Sequence, residues 1–162
     1  MSPEKQNIDF ELISHSTDQT IQLGREIGNL LQGGEVFCFI GTLGSGKTHL
    51  IKGIAQGAGA PSSQPVNSPT FVIVNEYLGQ DSQFDIYHID AYRIDSITEF
   101  EMLGFDDLCY PQSIVLIEWA DKVQSALKEV DYIQIKMSHY SENQRKILLE
   151  NIPHHLTIAL KT

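Results

Sequence analysis

Basic side chains are scarce in this sequence of 162 residues. Lys and Arg total 11 against 21 Asp and Glu, which gives a formal net charge of −10. Proteins that bind nucleic acid through broad electrostatic contact neutralise its phosphates with Lys and Arg. The composition therefore excludes a broad nucleic-acid surface, and we expect another subunit to hold any RNA in the pathway. A solvated acidic surface that keeps the protein soluble also explains the charge.

Cysteine and long apolar runs are scarce as well. The 2 cysteines, Cys38 and Cys109, lie far apart without a CxxC pair, which excludes a disulfide framework and a cysteine zinc site. Cys38 lies within an apolar run and is predicted to be a core residue. No apolar stretch approaches the roughly 20 residues that span a membrane, and "MSPEKQNIDFELI" lacks the apolar segment of a signal peptide. We therefore expect a cytoplasmic protein without a membrane partner.

Length and hydrophobic periodicity predict one α/β domain over residues 1–162. Ser16 and Gln19 have the spacing of a capping box at the start of the first helix. Strands and helices alternate on both sides of a glycine-rich turn, which is typical of a sheet with helices on its faces. The predicted strands cover 10–14, 35–40, 70–78, 83–92, 113–119, 131–137, 146–152 and 156–160, and the predicted helices cover 16–32, 47–58, 97–105 and 120–128.

The glycine-rich turn reads "GTLGSGKT" over residues 41–48 and matches the P-loop pattern G-x-x-x-x-G-K-[ST]. Backbone N–H groups of such a turn point at phosphate oxygens, and the following helix presents its positive end to the same anion. Lys47 would reach the β- and γ-phosphates from an exposed loop, and Thr48 would ligate Mg²⁺. A buried strand before the turn and a helix after it complete the expected context. We therefore predict a bound nucleoside triphosphate, with contacts from Gly41, Leu43, Gly44, Ser45, Gly46, Lys47 and Thr48.

Four further stretches narrow the choice among P-loop proteins. They are "VNSPTFVIVNEY" (66–77), "IYHIDAYRI" (86–94), "EFEMLGFDD" (99–107) and "IVLIEWA" (114–120). In this order the set resembles the TsaE family, bacterial ATPases of tRNA threonylcarbamoyladenosine biosynthesis, over about residues 16–150. The fold class is therefore expected to be α/β of the P-loop NTPase type, with a mainly parallel central sheet, flanking helices and added antiparallel strands.

The resemblance also implies an activity and partners. It implies an ATPase that uses ATP and Mg²⁺ and works with the two-subunit TsaB–TsaD threonylcarbamoyl-transferase. That pair modifies an adenosine next to the anticodon in tRNAs that read codons beginning with adenine. The chain would not transfer the group itself, and would meet tRNA only through the complex.

The chain departs from the family pattern at three positions. The family usually has Asp or Asn where this chain has Thr42, Thr where it has His49, and Pro where it has Ala120. His49 directly follows the predicted magnesium threonine, where a second hydroxyl would be free to contact the α-phosphate. We expect this exchange to bear on nucleotide affinity or recognition, and the other two to matter less.

Two carboxylates are candidates for catalysis. Glu118 ends a buried strand, at the carboxyl edge where ligands gather in open α/β sheets, and would hold Mg²⁺ directly or through water; the alternative is a surface glutamate. Asp90 would share a strand face with His88 and Tyr92 if the strand continues. Asp90 could orient the attacking water or bind the outer shell of Mg²⁺, and an ion pair with Arg93 is the alternative. His88 is predicted to pack or hydrogen-bond rather than to ligate a metal.

Four other residues are candidates for nucleotide contacts. Thr70 follows a conformation-fixing proline and could meet Mg²⁺ or the γ-phosphate when its loop closes; an ordinary loop threonine is the alternative. Trp119 would be a core residue by default, whereas the resemblance places it near the nucleotide. By analogy with the family, Thr17 and Arg145 would contact adenine, although an N-cap and a surface arginine explain them equally well.

The sequence leaves two other functions open. ATP binding without obligatory hydrolysis could order a partner interface, which would make the chain a nucleotide-gated assembly factor. A small P-loop kinase is the other possibility, but we find no arginine-rich lid segment after residue 90 and no separate acceptor-binding region. For the ATPase, we expect turnover to be slow alone and faster with its partners.

Overall fold

The computed structural model describes residues 10–61, 74–78 and 83–160. Thr70 and the first part of the strand predicted over 70–78 lie outside these residues. The strands are β1 (Phe10–Ser14), β2 (Val36–Gly41), β3 (Val74–Leu78), β4 (Asp85–Asp90), β5 (Ser113–Glu118), β6 (Ile133–His139) and β7 (Arg145–Glu150). The α-helices are α1 (Thr17–Asn29), α2 (Lys47–Gly57), α3 (Ile97–Met102), α4 (Phe105–Leu108) and α5 (His154–Leu160), and 3₁₀ segments cover Ala91–Arg93 and Ala120–Leu127.

Seven strands form one mixed sheet in the order β1-β7-β6-β2-β5-β4-β3. The central pairings β6–β2, β2–β5 and β5–β4 are parallel, whereas β1–β7, β7–β6 and β4–β3 are antiparallel. The continuous apolar sequences of β2 and β5 are therefore explained by their central place, where both faces are covered. The predicted fold class, a P-loop-type α/β sheet with added antiparallel strands, is confirmed.

Successive side chains of the central strands pack into two hydrophobic cores, one on each face of the sheet. Phe37 and Phe39 pack on the side of α1 and α2, whereas Val36 and Cys38 pack on the side of α3 and the second 3₁₀ segment. Cys38 is a core residue as predicted, and burial raises the pKa of its thiol to about 12. The sheet is thus covered on both faces and leaves its carboxyl edge for function.

Helices α1 and α2 pack with their backbones in contact. A Cβ added to Gly53 would overlap the carbonyl oxygen of Ile21, and a Cβ added to Gly28 would overlap that of Ile54. Side chains at these positions would force the helices apart, so small residues are required for the observed approach. The glycines at this contact are Gly24, Gly28, Gly53 and Gly57.

Four predicted elements differ from the structure. Residues 156–160 belong to helix α5 and not to a strand, because so short an apolar run fits either period. The helix predicted over 97–105 is interrupted at Gly104, whose φ of 73° is left-handed. The helix predicted after Trp119 is a 3₁₀ segment broken at Val123. β4 ends at Asp90 and a 3₁₀ turn follows, so Tyr92 does not continue the strand face of His88 and Asp90.

Candidate functional site

A cavity of about 850 Å³ lies where β2, β4 and β5 end and α2 begins. These strands are parallel, so their carboxyl ends meet at one edge, where ligands of open α/β sheets bind. Gly41 does not line the cavity, and Thr70 lies outside the described residues. The other predicted site residues line it: Thr17, Leu43, Gly44, Ser45, Gly46, Lys47, Thr48, Asp90, Glu118, Trp119 and Arg145.

Glycines shape the P-loop at three places. Gly44 and Gly46 have φ of 78° and 98°, a left-handed conformation that favours glycine. Gly46 is also the N-cap of α2. At Gly41 a Cβ would lie 2.5 Å from the carbonyl oxygen of Met137 and 2.6 Å from Ser45 Oγ. The loop can curl tightly before α2 only because these positions lack side chains, and its N–H groups and the helix start suit a phosphate.

Lys47 is folded back into its own loop. Its Nζ donates to the carbonyl oxygens of Gly41 (2.6 Å) and Thr42 (2.9 Å), and lies 4.0 Å from the ring centroid of Trp119. The residue is only 5% exposed, so the expectation of an exposed loop lysine is wrong. Burial lowers the pKa of Lys47, and the charges of Glu118, Asp121 and Asp90 oppose that shift. A phosphate entering the loop would replace carbonyl acceptors with charged ones.

Glu118 and Thr48, the two predicted magnesium ligands, are in direct contact. Thr48 Oγ1 donates to Glu118 Oε1 at 2.8 Å, and His88 Nε2 lies 2.9 Å from Glu118 Oε2. Burial opposes the carboxylate charge, but His88, Thr48 and Lys47 outweigh it and hold the pKa of Glu118 below its ordinary value. A hard cation such as Mg²⁺ takes oxygen ligands from one or two side chains and otherwise from phosphates and water. This pair of oxygens fits that requirement.

Asp90 lies beside Glu118 on the neighbouring strand, in register with it. Its Oδ1 accepts from the Tyr92 N–H at 3.1 Å, and its Oδ2 lies 3.9 Å from Arg93 Nε. Burial and the charge of Glu118 raise the pKa of Asp90, while the Tyr92 N–H opposes the shift. The ion pair with Arg93 is therefore present but long, and Asp90 also borders the cavity, where it can hold a water or a hydrated cation.

Trp119 adopts φ 57° and ψ 39°, a left-handed conformation that is costly for a bulky side chain. Its ring lies 5.0 Å from that of Tyr92 and beneath the Lys47 ammonium. The residue also packs against the core beside α3. Trp119 therefore both packs against the core and lines the cavity. Its ring faces the Lys47 ammonium.

Thr17 and Arg145 lie on neighbouring elements, because β7 pairs with β1 just before α1 begins. Ser16 is the N-cap of α1 and accepts from the Gln19 N–H at 3.0 Å, so Thr17 is not the N-cap. Arg145 Nη1 donates to the Gln144 carbonyl oxygen at 3.0 Å and to two others in the β6–β7 turn. No sequence signal joins these elements, since a long-range strand pairing brings them together.

Sequence reasoning did not assign several other cavity residues. His15 lies in the β1–α1 turn and Asn143 in the β6–β7 turn. A contact of 2.7 Å between His15 Nδ1 and Gln144 Nε2 joins the two turns. Arg93 lines the cavity beside Asp90. Of the departures from the family pattern, His49 also lines the cavity, whereas Ala120 is buried. The exchange at His49 is thus the one that a nucleotide would meet.

The described residues contain neither a cluster of metal-ligating side chains nor a membrane-spanning helix. Within residues 10–61, 74–78 and 83–160, no three His, Cys, Asp or Glu side chains are grouped as a metal site would need. The prediction that His88 is not a metal ligand stays a prediction. In the same part of the chain, no helix has both the length and the apolar composition for a membrane span.

Comparison with known proteins adds a family. The family model described as "Threonylcarbamoyl adenosine biosynthesis protein TsaE" matches residues 14–147. The tRNA threonylcarbamoyladenosine biosynthesis protein TsaE from Aquifex aeolicus is 35% identical over 137 residues, which cover 85% of this chain and 92% of the relative. The protein of the same name from Treponema pallidum is 33% identical over 135 residues, which cover 83% of this chain and 96% of the relative.

A solved structure resembles the fold. The crystal structure of Bacillus subtilis YdiB superposes with a TM-score of 0.77 and covers 96% of this chain and 94% of its own. At 24% sequence identity the superposition shows the shared fold. The mixed sheet is therefore not peculiar to this chain.

Proposed function

This chain belongs to the TsaE family of threonylcarbamoyladenosine biosynthesis proteins, and from that membership we propose that it binds and hydrolyses ATP. Hydrolysis would support formation of the threonylcarbamoyl group on adenosine next to the anticodon of tRNAs that read codons beginning with adenine. The observation that carries the proposal is the P-loop at the start of α2, with Thr48 Oγ1 2.8 Å from Glu118 Oε1.

Each side chain has a proposed role in hydrolysis. Lys47 and the P-loop N–H groups offset the negative charge of the β- and γ-phosphates. Thr48 and Glu118 would hold Mg²⁺, which would supply further positive charge to the transferring phosphoryl group. Asp90 positions the attacking water or the outer shell of the ion. Catalysis is thus electrostatic and positional.

The partners that we propose are the TsaB–TsaD pair, which carries out the transfer itself. The net charge of −10 gives the chain little means of holding tRNA, so tRNA meets it only through the complex. The protein would work in the cytoplasm, where tRNA is modified.

A reconstituted modification assay tests the proposal. Modification with ATP but not with a non-hydrolysable analogue would support an obligatory ATPase. Equal modification with both would instead establish a nucleotide-gated assembly factor. The Lys47 ammonium must leave the carbonyl oxygens of Gly41 and Thr42 to reach a phosphate. Binding alone would therefore move this side chain, which gives the alternative a structural basis.

We predict different defects for the two carboxylates. Glu118→Gln should weaken magnesium-dependent nucleotide binding by about 10–100-fold, because Glu118 contacts Thr48. Asp90→Asn should mainly slow turnover, by about 10²–10⁴-fold if Asp90 acts on the water. Calorimetric titration and phosphate release would separate the two effects.

Asp107→Asn is the matched control, because it removes the same charge from α4 and does not line the cavity. If both site variants keep full activity, neither carboxylate has its proposed role. A reversed pattern would exchange the two roles.

We predict a fluorescence response from Trp119, the only tryptophan of the chain. Adding Mg-ATP should change its emission, since Lys47 leaves the ring when it turns to the phosphates. Lys47→Ala should suppress the change. A constant signal while calorimetry reports binding would show that Trp119 does not sense the nucleotide.

A further inference from the structure

The His88 side chain is fully buried, and within the described residues it makes one side-chain hydrogen bond. Its Nε2 lies 2.9 Å from Glu118 Oε2. Its Nδ1 is buried and has no hydrogen-bond partner in residues 10–61, 74–78 and 83–160. The ring is therefore oriented by Glu118.

The direction of this hydrogen bond follows from the charge on Glu118. Glu118 already accepts from Thr48 Oγ1 with one oxygen, and a carboxylate oxygen accepts hydrogen bonds rather than donating them. His88 Nε2 must then carry the proton and donate it. Nδ1 is left buried without a hydrogen-bond partner in the described residues, which is unfavourable for a polar atom.

Packing alone does not explain a histidine at this position. An apolar side chain of similar size would fill the space next to Ile86 on the same face of β4 without an unpaired nitrogen. What the imidazole provides, and an apolar side chain would not, is the hydrogen bond to Glu118. That contact bears on the site because Glu118 reaches Thr48 with its other oxygen.

Two donors from two elements thus hold the two oxygens of one carboxylate. His88 on β4 binds Oε2, and Thr48 on α2 binds Oε1. Together they fix the rotation of the carboxylate about its own axis. We propose that His88 is a positioning residue that keeps the Glu118 carboxylate turned toward Thr48, so that the two magnesium ligands are arranged before the nucleotide arrives. This inference rests on the proposed function, which makes Glu118 and Thr48 the ligands.

The test measures binding of a non-hydrolysable ATP analogue by calorimetry, in EDTA and across a Mg²⁺ titration. His88→Leu should raise the Mg²⁺ concentration for half-maximal enhancement of binding by about 10–100-fold, as loss of an outer partner of a ligand does. Binding in EDTA should be unchanged, because His88 does not line the cavity. If His88 served only in packing, its replacement would not change the Mg²⁺ dependence of analogue binding.

Two amide variants keep the test decisive even if His88→Leu does not fold. A glutamine amide reaches the place of Nε2, whereas the shorter asparagine amide reaches only that of Nδ1. His88→Gln should therefore restore the Mg²⁺ dependence, and His88→Asn should not. Thermal unfolding of each variant verifies that the compared proteins are folded.

The outcomes separate this inference from the proposed function. If Glu118→Gln loses the Mg²⁺ enhancement while the folded His88 variants all keep it, His88 is a packing residue and the inference is overturned. If Glu118→Gln keeps the enhancement, the metal role of Glu118 is wrong and the inference falls with it. Loss in His88→Leu and His88→Asn with recovery in His88→Gln supports it.

Discussion

Lys47→Ala is expected to lower ATP turnover by at least about 10²–10³-fold, the usual loss when one preorganised donor to the transition state is removed. Lys47 stands at the first position of α2, where its ammonium and the helix start act on the same phosphates. Phosphate release under saturating ATP and Mg²⁺ measures the effect.

The same change is expected to reduce the free energy of unfolding by about 2 kcal/mol. Lys47 Nζ donates to the carbonyl oxygens of Gly41 and Thr42, and each lost hydrogen bond typically costs about 1 kcal/mol. Turnover must therefore be compared well below the unfolding temperature of the variant. Lys52→Ala is the matched control, because it removes the same charge from the same helix outside the cavity. Wild-type turnover by Lys47→Ala would refute the P-loop proposal.

The second large effect is expected from the partners. Turnover by the isolated chain should be slow and should rise by roughly 10³–10⁵-fold with the TsaB–TsaD pair, the gain that a supplied arginine gives other P-loop enzymes. The chain has three arginines, Arg25, Arg93 and Arg145. The first binds Gln56 on α2, the second is paired with Asp90, and the third with carbonyls of the β6–β7 turn. A further cation from a partner would complete the site.

Salt and a variant make this prediction specific. Raising ionic strength should weaken the stimulation, because exposed charges are screened beyond about 10 Å at 0.1 M salt, and the chain's charge of −10 would attract a basic partner surface. Lys47→Ala should stay at least about 10²–10³-fold below wild type with the pair present, which excludes a contaminating ATPase. Full-speed turnover by the isolated protein, unchanged by the pair, would rule out the mechanism.

The sequence was informative where a function depends on neighbouring residues. The P-loop lies within eight positions, so its turn and the start of α2 were predictable, and Glu118 was predictable as the end of a buried strand. The roles of these residues remain proposals. Thr48 and Glu118 were each assigned to Mg²⁺ from the sequence, whereas their direct contact comes from the structure.

Other features depend on contacts that no local pattern carries. The pairing of β1 with β7 brings Arg145 beside the start of α1, although the two segments lie at opposite ends of the sequence. The break at Gly104 and the 3₁₀ turn at Tyr92 arise from backbone angles that periodicity does not encode. The sequence 156–160 fits both a strand and a helix. The helix forms after Pro153, whose carbonyl oxygen accepts from the N–H groups of Leu156 and Thr157 in the first turn.

The glycine contact between α1 and α2 has a mechanical consequence. Both helices begin at the cavity, one at Thr17 and the other at Lys47. Because their backbones touch, neither helix can tilt toward the other, and a displacement of one must carry the other with it. We expect these two walls to keep a constant separation when ATP enters. Any closing movement would then come from the opposite walls, the strained turn at Trp119 and the β6–β7 turn.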